Sequence, residues 1–343
     1  HDGRERFIDF RERAPLRAMP RMYQNAQGDV IPRLSTKGYL AIGVPGTVMG
    51  MERARSEFGT RSRAALMAPA IALAAHGYRI EPGDAAIYRG LPSEAYDGTP
   101  NPGASTNVRA IFMKAGHTPQ AGDVFVQPQL AKTLALISRD GAAAFYRGPI
   151  AKAIVAASVA NHGILSLRDF ASYSVDDRAP VHCSYRGYEI ASAPPPSSGG
   201  VTLCEILGIT SAYPIARWGW HSAESAHYTI EAERRAYADR NTYLGDPLFV
   251  KDPVTRLLSP RYEAKLRASI AADAATPSVD VHPGLGPVAH ENGETTHFSI
   301  VDKDGNAAAV TYTINDAFGA GVIAGDTGFF LNDEMDDFTS KPG

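Results

Sequence analysis

The sequence predicts an α+β protein. Three observations carry this: Ala-, Leu- and Met-rich stretches at helical spacing over much of the chain, an alternating aromatic run at residues 185–190, and two alternating runs joined by an Asp-Gly turn at residues 295–314. Residues 51–78 read as helix with Gly77 as its stop, preceded by a tight loop, Gly43-Val44-Pro45-Gly46-Thr47, in which Thr47 is a candidate N-cap. Residues 130–138 and 150–161 read as two more helices, and Ser166 caps a short one at 165–169. The run Tyr185-Arg186-Gly187-Tyr188-Glu189-Ile190 is expected as strand. Three prolines at 194–196 forbid helix or central strand and give a stiff bend into a helix over 201–209. Residues 222–243 form a long amphipathic helix whose polar side is expected to carry Glu231, Glu233, Arg234, Arg235, Asp239 and Arg240. Residues 271–294 are poor in large hydrophobic residues and read as an exposed linker. That linker runs into a strand at 295–301 that looks buried, a turn at Asp302-Lys303-Asp304-Gly305-Asn306 and a strand at 307–314.

The chain has 343 residues, 44% hydrophobic and 21% charged, enough for one large domain or two ordinary ones and too apolar for disorder. A formal net charge of -3 offers no basic footprint for nucleic acid or an anionic membrane. The longest apolar run, Ala64 to Ala75, has 12 residues and contains Pro69, whereas a spanning helix needs about 20. Cys183 and Cys204 are the two cysteines; their spacing fits no metal motif and leaves open whether they pair. His1 follows no signal-peptide pattern, and Lys341-Pro342-Gly343 is turn-like, so the chain is expected to be an internal portion of a longer one.

Thr295, at the start of a strand behind an exposed loop, suits an N-terminal nucleophile. A threonine hydroxyl needs a nearby base, and a first-residue threonine carries one in its own α-amino group, with a pKa of about 7.7 to 8. The arrangement requires cleavage of Glu294-Thr295 by attack of the Thr295 hydroxyl on the Glu294 carbonyl. On spacing alone, Thr295 and Thr296 read first as ordinary β-branched strand residues. If the turn centres on Asp304 and Gly305, Thr313 lies across from Thr295 or Thr296, within one residue of register.

Longer motifs decide between these readings. Residues 295–306, Thr295-Thr296-His297-Phe298-Ser299-Ile300-Val301-Asp302-Lys303-Asp304-Gly305-Asn306, with Val310-Thr311-Tyr312-Thr313-Ile314-Asn315 and Leu331-Asn332-Asp333-Glu334-Met335-Asp336-Asp337-Phe338, closely resemble the start of the small subunit of γ-glutamyltransferases, which are N-terminal nucleophile hydrolases. Asp9-Phe10-Arg11-Glu12, Gly43-Val44-Pro45-Gly46-Thr47, Tyr185-Arg186-Gly187-Tyr188 and residues 194–200 resemble large-subunit landmarks of the same family. The resemblance implies a four-layer αββα sandwich of two stacked antiparallel sheets, truncated at both ends, with a large-subunit portion over 1–294 and the start of a small subunit over 295–343. It implies autocleavage between Glu294 and Thr295, a heterodimer of the two subunits, and transfer of a γ-glutamyl group from glutathione and related compounds to water or an amine through a threonyl ester.

By the same resemblance Thr295 is the nucleophile, Thr313 assists it, Arg11 binds the donor α-carboxylate, and Asn315, Glu334 and Asp337 hold its α-ammonium. No cofactor or metal is implied, and relatives are often periplasmic or secreted. The family continues past Gly343 with paired serines and a Gly-Gly oxyanion hole, so those groups are expected outside this sequence. Two other functions stay in view: a glutaryl-β-lactam acylase of the same family, and an unprocessed relative without catalysis. Residues 302–305 resemble part of a calcium loop without its bidentate Glu, and Ser197-Ser198 lack a nucleophile elbow. His297 reads as a packed strand residue.

Overall fold

The computed structural model describes residues 3–96, 106–113, 116–281, 295–338 and 340–341. The chain divides into two compact units: residues 8–176 with 292–343, and residues 2–7 with 177–291. The architecture is α+β, with strands in antiparallel pairs.

In the first unit the expected helix over 51–78 is two helices, Thr47–Phe58 and Arg63–His76. The break is local chemistry. The Gly59 N–H closes the first helix on the Arg55 carbonyl, and the Ser62 hydroxyl caps the second by accepting from Ala65 N at 3.3 Å. Gly77 ends the second with a φ of 86°, as expected, and a Cβ there would press to 2.7 Å from Val126. Thr47 is the first helical residue and Gly46 takes the cap position. Helices Pro128–Asp140 and Pro149–Ala160 each begin on a proline, whose missing N–H would have no partner in a first turn. Ser166 and Asp169 form a reciprocal capping box on Leu167–Ser172. Ile42, Ile154, Leu165, Phe170 and Leu331 are fully buried in the main core, drawing residues from both ends of the chain into one cluster.

The hairpin Thr296–Val301 and Ala307–Tyr312 belongs to this unit. Its first strand is exposed along its whole length, with Val301 at 72%, contrary to the buried strand expected from its apolar residues. Among the described residues the pair has no third strand, so its apolar faces lack cover. His297 is not packed but exposed, its ring reaching Thr311 Oγ1 at 2.7 Å across the pair.

In the second unit, strands Val181–Tyr185 and Tyr188–Ser192 pair in register and lead through the proline bend into helix Gly199–Thr210. Cys183 and Cys204 form a disulfide with Cα atoms 5.8 Å apart, tying strand to helix. Helix Ala223–Tyr243, capped by Ser222, corrects the expected polar face. Glu231, Arg235 and Asp239, four residues apart, form a buried stripe. Glu231 accepts from Arg235 Nη1 and from Thr276 Oγ1, both at 2.6 Å, while Arg235 Nε donates to Ser269 Oγ at 2.7 Å. Glu231 and Arg235 enter the interior because, besides pairing with one another, each finds a partner on a segment remote in sequence. Among the described residues no helix is long and apolar enough to cross a membrane.

Candidate active site

The hairpin turn sets the position of the two threonines. Asp302 N donates to Asn306 O at 3.0 Å, so three residues, Lys303, Asp304 and Gly305, form the loop. Gly305 takes the left-handed conformation (φ 81°) that such a loop requires at its last position. The Asp302 carboxylate accepts from Asp304 N, Asn306 N and Asn306 Nδ2 at 2.8–2.9 Å, so it serves its own turn and not an ion. A two-residue turn would set Thr313 opposite Thr296. The third loop residue shifts the register so that Thr296 faces Tyr312, and one further step sets Thr313 opposite Thr295. Thr295 is exposed at the mouth of the hairpin; Glu294, the other half of the expected cleavage bond, lies outside the described residues.

Beyond Thr313 the chain turns into the residues expected to hold the donor α-ammonium. Thr313 Oγ1 accepts from Asn315 N at 2.9 Å, and Asn315 adopts a φ of 73°, a conformation asparagine tolerates better than most residues. The Asn315 amide reaches Asp333 Oδ2 at 3.3 Å, and Asp316 N donates to Asp333 Oδ1 at 3.0 Å. The acidic segment is a short 3-10 helix, Glu334–Asp337, with Glu334 and Met335 buried. Met335 turns inward while Phe338, just beyond the helix, stays exposed, and Asp336 accepts from Ser35 Oγ at 2.6 Å.

Arg11 arrives from the opposite end of the sequence. Its strap is held by reciprocal backbone bonds between Arg13 and Val44 and by Tyr173 OH donating to Arg11 O at 2.8 Å. Gly46 permits this approach, because a Cβ there would sit 1.9 Å from Phe10 O. The Asn332 side chain spans both backbone groups of Gly43 at 2.9 and 3.1 Å, locking the loop against the acidic segment. Arg11 Nη2 then donates to Asp337 Oδ2, with Glu12 Oε1 at 3.5 Å. Arg11 and Asp337 keep side-chain exposures of 42% and 41%, so the pair stands at an accessible edge.

The electrostatics follow from crowding. Carboxylate oxygens of Glu12, Glu334 and Asp337 lie within 4.8 Å of one another. Burial, then the Glu12 and Asp337 charges, push Glu334 up to about 8 against the opposing pull of Arg11. Burial also raises Asp333 to about 7, although the Asp316 N–H, Lys37 and Asn315 favour its charged form. Glu12 is raised mainly by burial. Burial alone would lower Arg11, and the surrounding carboxylates outweigh it, so its guanidinium stays charged. Three acids sharing one guanidinium form a corner suited to a cation that arrives together with an anion for the arginine.

The structure thus brings Arg11 to Asp337 and Glu334, ties Asn315 to the adjoining Asp333, and has a hairpin register that, continued one residue past its last pair, sets Thr313 opposite Thr295. Sequence reasoning missed Glu12, Asn332, Asp333 and Lys37. Glu12 and Asp333 adjoin selected residues and were accessible to it, whereas nothing in Ser35-Thr36-Lys37-Gly38 marks a buried lysine.

The gamma-glutamyltranspeptidase family model matches residues 1–343. The chain belongs to this family. A glutathione hydrolase proenzyme from Pseudomonas sp. (strain A14) is 52% identical over 342 residues, covering 100% of the chain and 58% of the relative. One from Escherichia coli (strain K12) is 41% identical over 343 residues, again covering 100% of the chain and 58% of the relative. The crystal structure of Helicobacter pylori gamma-glutamyltranspeptidase is 42% identical with a TM-score of 0.76, the match covering 83% of this chain and 80% of that one. The chain therefore spans 58% of the length of these curated family members.

Proposed function

We propose that the complete protein is a self-processing γ-glutamyltransferase and glutathione hydrolase. The observation that carries this is the meeting of Arg11 with Asp337 and Glu334, from opposite ends of the sequence, in a corner that reads a zwitterion. The guanidinium fork takes the donor α-carboxylate, and Glu334, Asp337 and the Asn315 carboxamide oxygen take its α-ammonium. Asn315 lies two residues beyond Thr313, in the turn that follows the second hairpin strand, so a donor held there extends its γ-carbonyl along the hairpin toward the nucleophile.

In maturation the Thr295 hydroxyl attacks the Glu294 carbonyl, and the peptide nitrogen leaves as the Thr295 α-amine. Water then hydrolyses the ester, releasing residues up to Glu294 as the large subunit. In turnover the freed amine takes the hydroxyl proton and Thr295 attacks the γ-carbonyl, expelling the donor's amine. Water or the amine of an amino acid or peptide resolves the γ-glutamyl ester. Thr313 steadies the Thr295 hydroxyl in both phases.

The reading includes a four-layer αββα sandwich, in which further strands cover the exposed hairpin, and a large–small heterodimer. It includes a periplasmic or secreted location, supported by the Cys183–Cys204 disulfide, which persists in oxidising compartments. No metal or organic cofactor enters the chemistry. A glutaryl donor lacks the ammonium that the acidic corner is built to hold, which favours the γ-glutamyl substrate over the acylase reading.

The test is intact mass of the complete gene product before and after incubation at neutral pH, followed by assay on γ-glutamyl-p-nitroanilide. Two fragments meeting between Glu294 and Thr295, absent in Thr295→Ala and slowed in Thr313→Ala, with release of p-nitroaniline, support the reading. A chain that stays intact and inert identifies a non-catalytic relative. Faster turnover of a glutaryl than a γ-glutamyl donor identifies an acylase.

A further inference from the structure

Lys37 is a lysine with only 4% of its side chain exposed, and its ammonium has three acceptors for three N–H groups: Glu94 Oε2 at 2.9 Å, Asp316 Oδ2 at 3.0 Å and Gly319 O at 3.0 Å. Two of these acceptors belong to the loop that follows Asn315. That loop is conformationally demanding: Asn315, Gly319 and Gly321 all have positive φ, at 73°, 50° and 71°. A Cβ on Gly319 would stand 2.2 Å from Leu331 O, so the loop runs hard against the segment leading to the acidic residues. Next to Lys37, Gly38 N donates to Ala320 O at 2.9 Å, giving the loop a second tie to the same segment. A buried lysine with all its donors engaged holds such a loop far more rigidly than a solvated one, because losing any partner leaves charge unsolvated.

We propose that Lys37 is a positioning residue for donor recognition: by gripping Asp316 and the Gly319 carbonyl it fixes the loop so that the Asn315 amide stays on Asp333 and its carboxamide oxygen turns to the donor ammonium. The chain of contacts is continuous. Lys37 holds Asp316; the Asp316 N–H and the Asn315 Nδ2 both donate to the Asp333 carboxylate; and the Asn315 backbone N–H donates to Thr313 Oγ1. The positive charge of Lys37 also favours ionised Asp333, the state in which that carboxylate accepts both bonds. Lys37 touches neither substrate nor nucleophile. It acts on the ammonium end of the site and leaves the Arg11 end alone.

This inference rests on the γ-glutamyl reading above, and its test separates the two. Lys37→Met and Lys37→Arg are made in the complete gene product and compared with wild type for self-cleavage, for KM and kcat on γ-glutamyl-p-nitroanilide, and for inhibition by L-glutamate and by glutarate. Lys37→Met is expected to raise KM about tenfold with kcat within about threefold. It should weaken L-glutamate in proportion and leave glutarate, which has no ammonium, unchanged; Lys37→Arg should recover part of the loss. Equal weakening of glutamate and glutarate would mark a merely structural role and overturn the proposal, as would a KM within about twofold of wild type. If Lys37→Met fails to fold, Asp316→Asn takes its place with the same expected split, and an unchanged KM overturns the inference. Wild type inert on the anilide would remove the reading beneath it; active wild type with unaltered variants removes this inference alone.

Discussion

Replacing Glu334 by Gln tests whether its buried carboxyl is neutral at neutral pH. The side chain sits on a residue only 5% exposed, crowded by Glu12, Asp337 and Asp333, with Arg11 as the opposing charge. An acid whose pKa rises on folding, here from 4.5 to about 8, stabilises the fold fully below its unfolded pKa. That contribution declines as pH rises through the interval and levels off above about 8. At ~1.36 kcal/mol per pH unit, the loss between pH 4.5 and pH 7 is about 3 kcal/mol if the unfolded carboxyl titrates normally. Gln reproduces the shape of the neutral acid and never ionises. Glu334→Gln is therefore expected to match the parent near pH 4 and to exceed it by about 1–3 kcal/mol at pH 7. Equilibrium urea unfolding at both pH values, in a Thr295→Ala background that keeps the chain in one piece, measures the difference. A variant less stable than the parent at pH 7 but equal to it at pH 4 would refute the reasoning. It would mean that Arg11 holds Glu334 ionised. In an active protein the same variant should flatten the pH dependence of donor KM between about 7 and 9, since ionised Glu334 draws the ammonium and the amide cannot.

Three further outcomes follow from other parts of the structure. Arg11→Lys keeps the charge and loses the planar fork, so donor KM should rise about 10- to 100-fold in steady-state assays while self-cleavage proceeds. In the second unit, burial and the neighbouring Asp239 push Glu205 up to about 10, and Asp239 is raised as well. The stability given by the protonated Glu205 carboxyl is lost as pH climbs toward 10, so Glu205→Gln should show a smaller drop in melting temperature between pH 7 and pH 10 than the parent. The Cys183–Cys204 bridge closes a separation of 21 residues, and Cys183→Ala with Cys204→Ala should lower unfolding free energy by about 3 kcal/mol in urea, a loss that dithiothreitol reproduces in the parent.

Much of the local architecture was legible in the sequence, because its signals act over one turn or one loop. Gly77 as a stop, the Ser166 cap, the proline bend and the Asp-Gly hairpin each depend on groups within a few residues. The pattern around Thr295 and the acidic segment identified the family, and Arg11 meets Asp337 and Glu334 while Asn315 bonds the adjoining Asp333. The break at residues 59–62 was missed because Ala and Leu periodicity continues across it; a serine cap and one glycine outweighed the pattern.

The rest was decided by partners far away in the chain. Whether Thr313 faces Thr295 or Thr296 turned on a third residue in the loop, a difference that alternation cannot express. Glu231, Arg235 and Asp239 read as a solvated face, yet Glu231 and Arg235 are buried against Ser269 and Thr276, and Asp239 against Tyr262. Of the four acids at 333–337, Ser35 engages Asp336, the 315–316 loop engages Asp333, and Arg11 engages Asp337. Lys37 carried no sequence signal at all. A charge is buried only where remote groups replace its water, and helical or strand periodicity contains no record of where those groups will be.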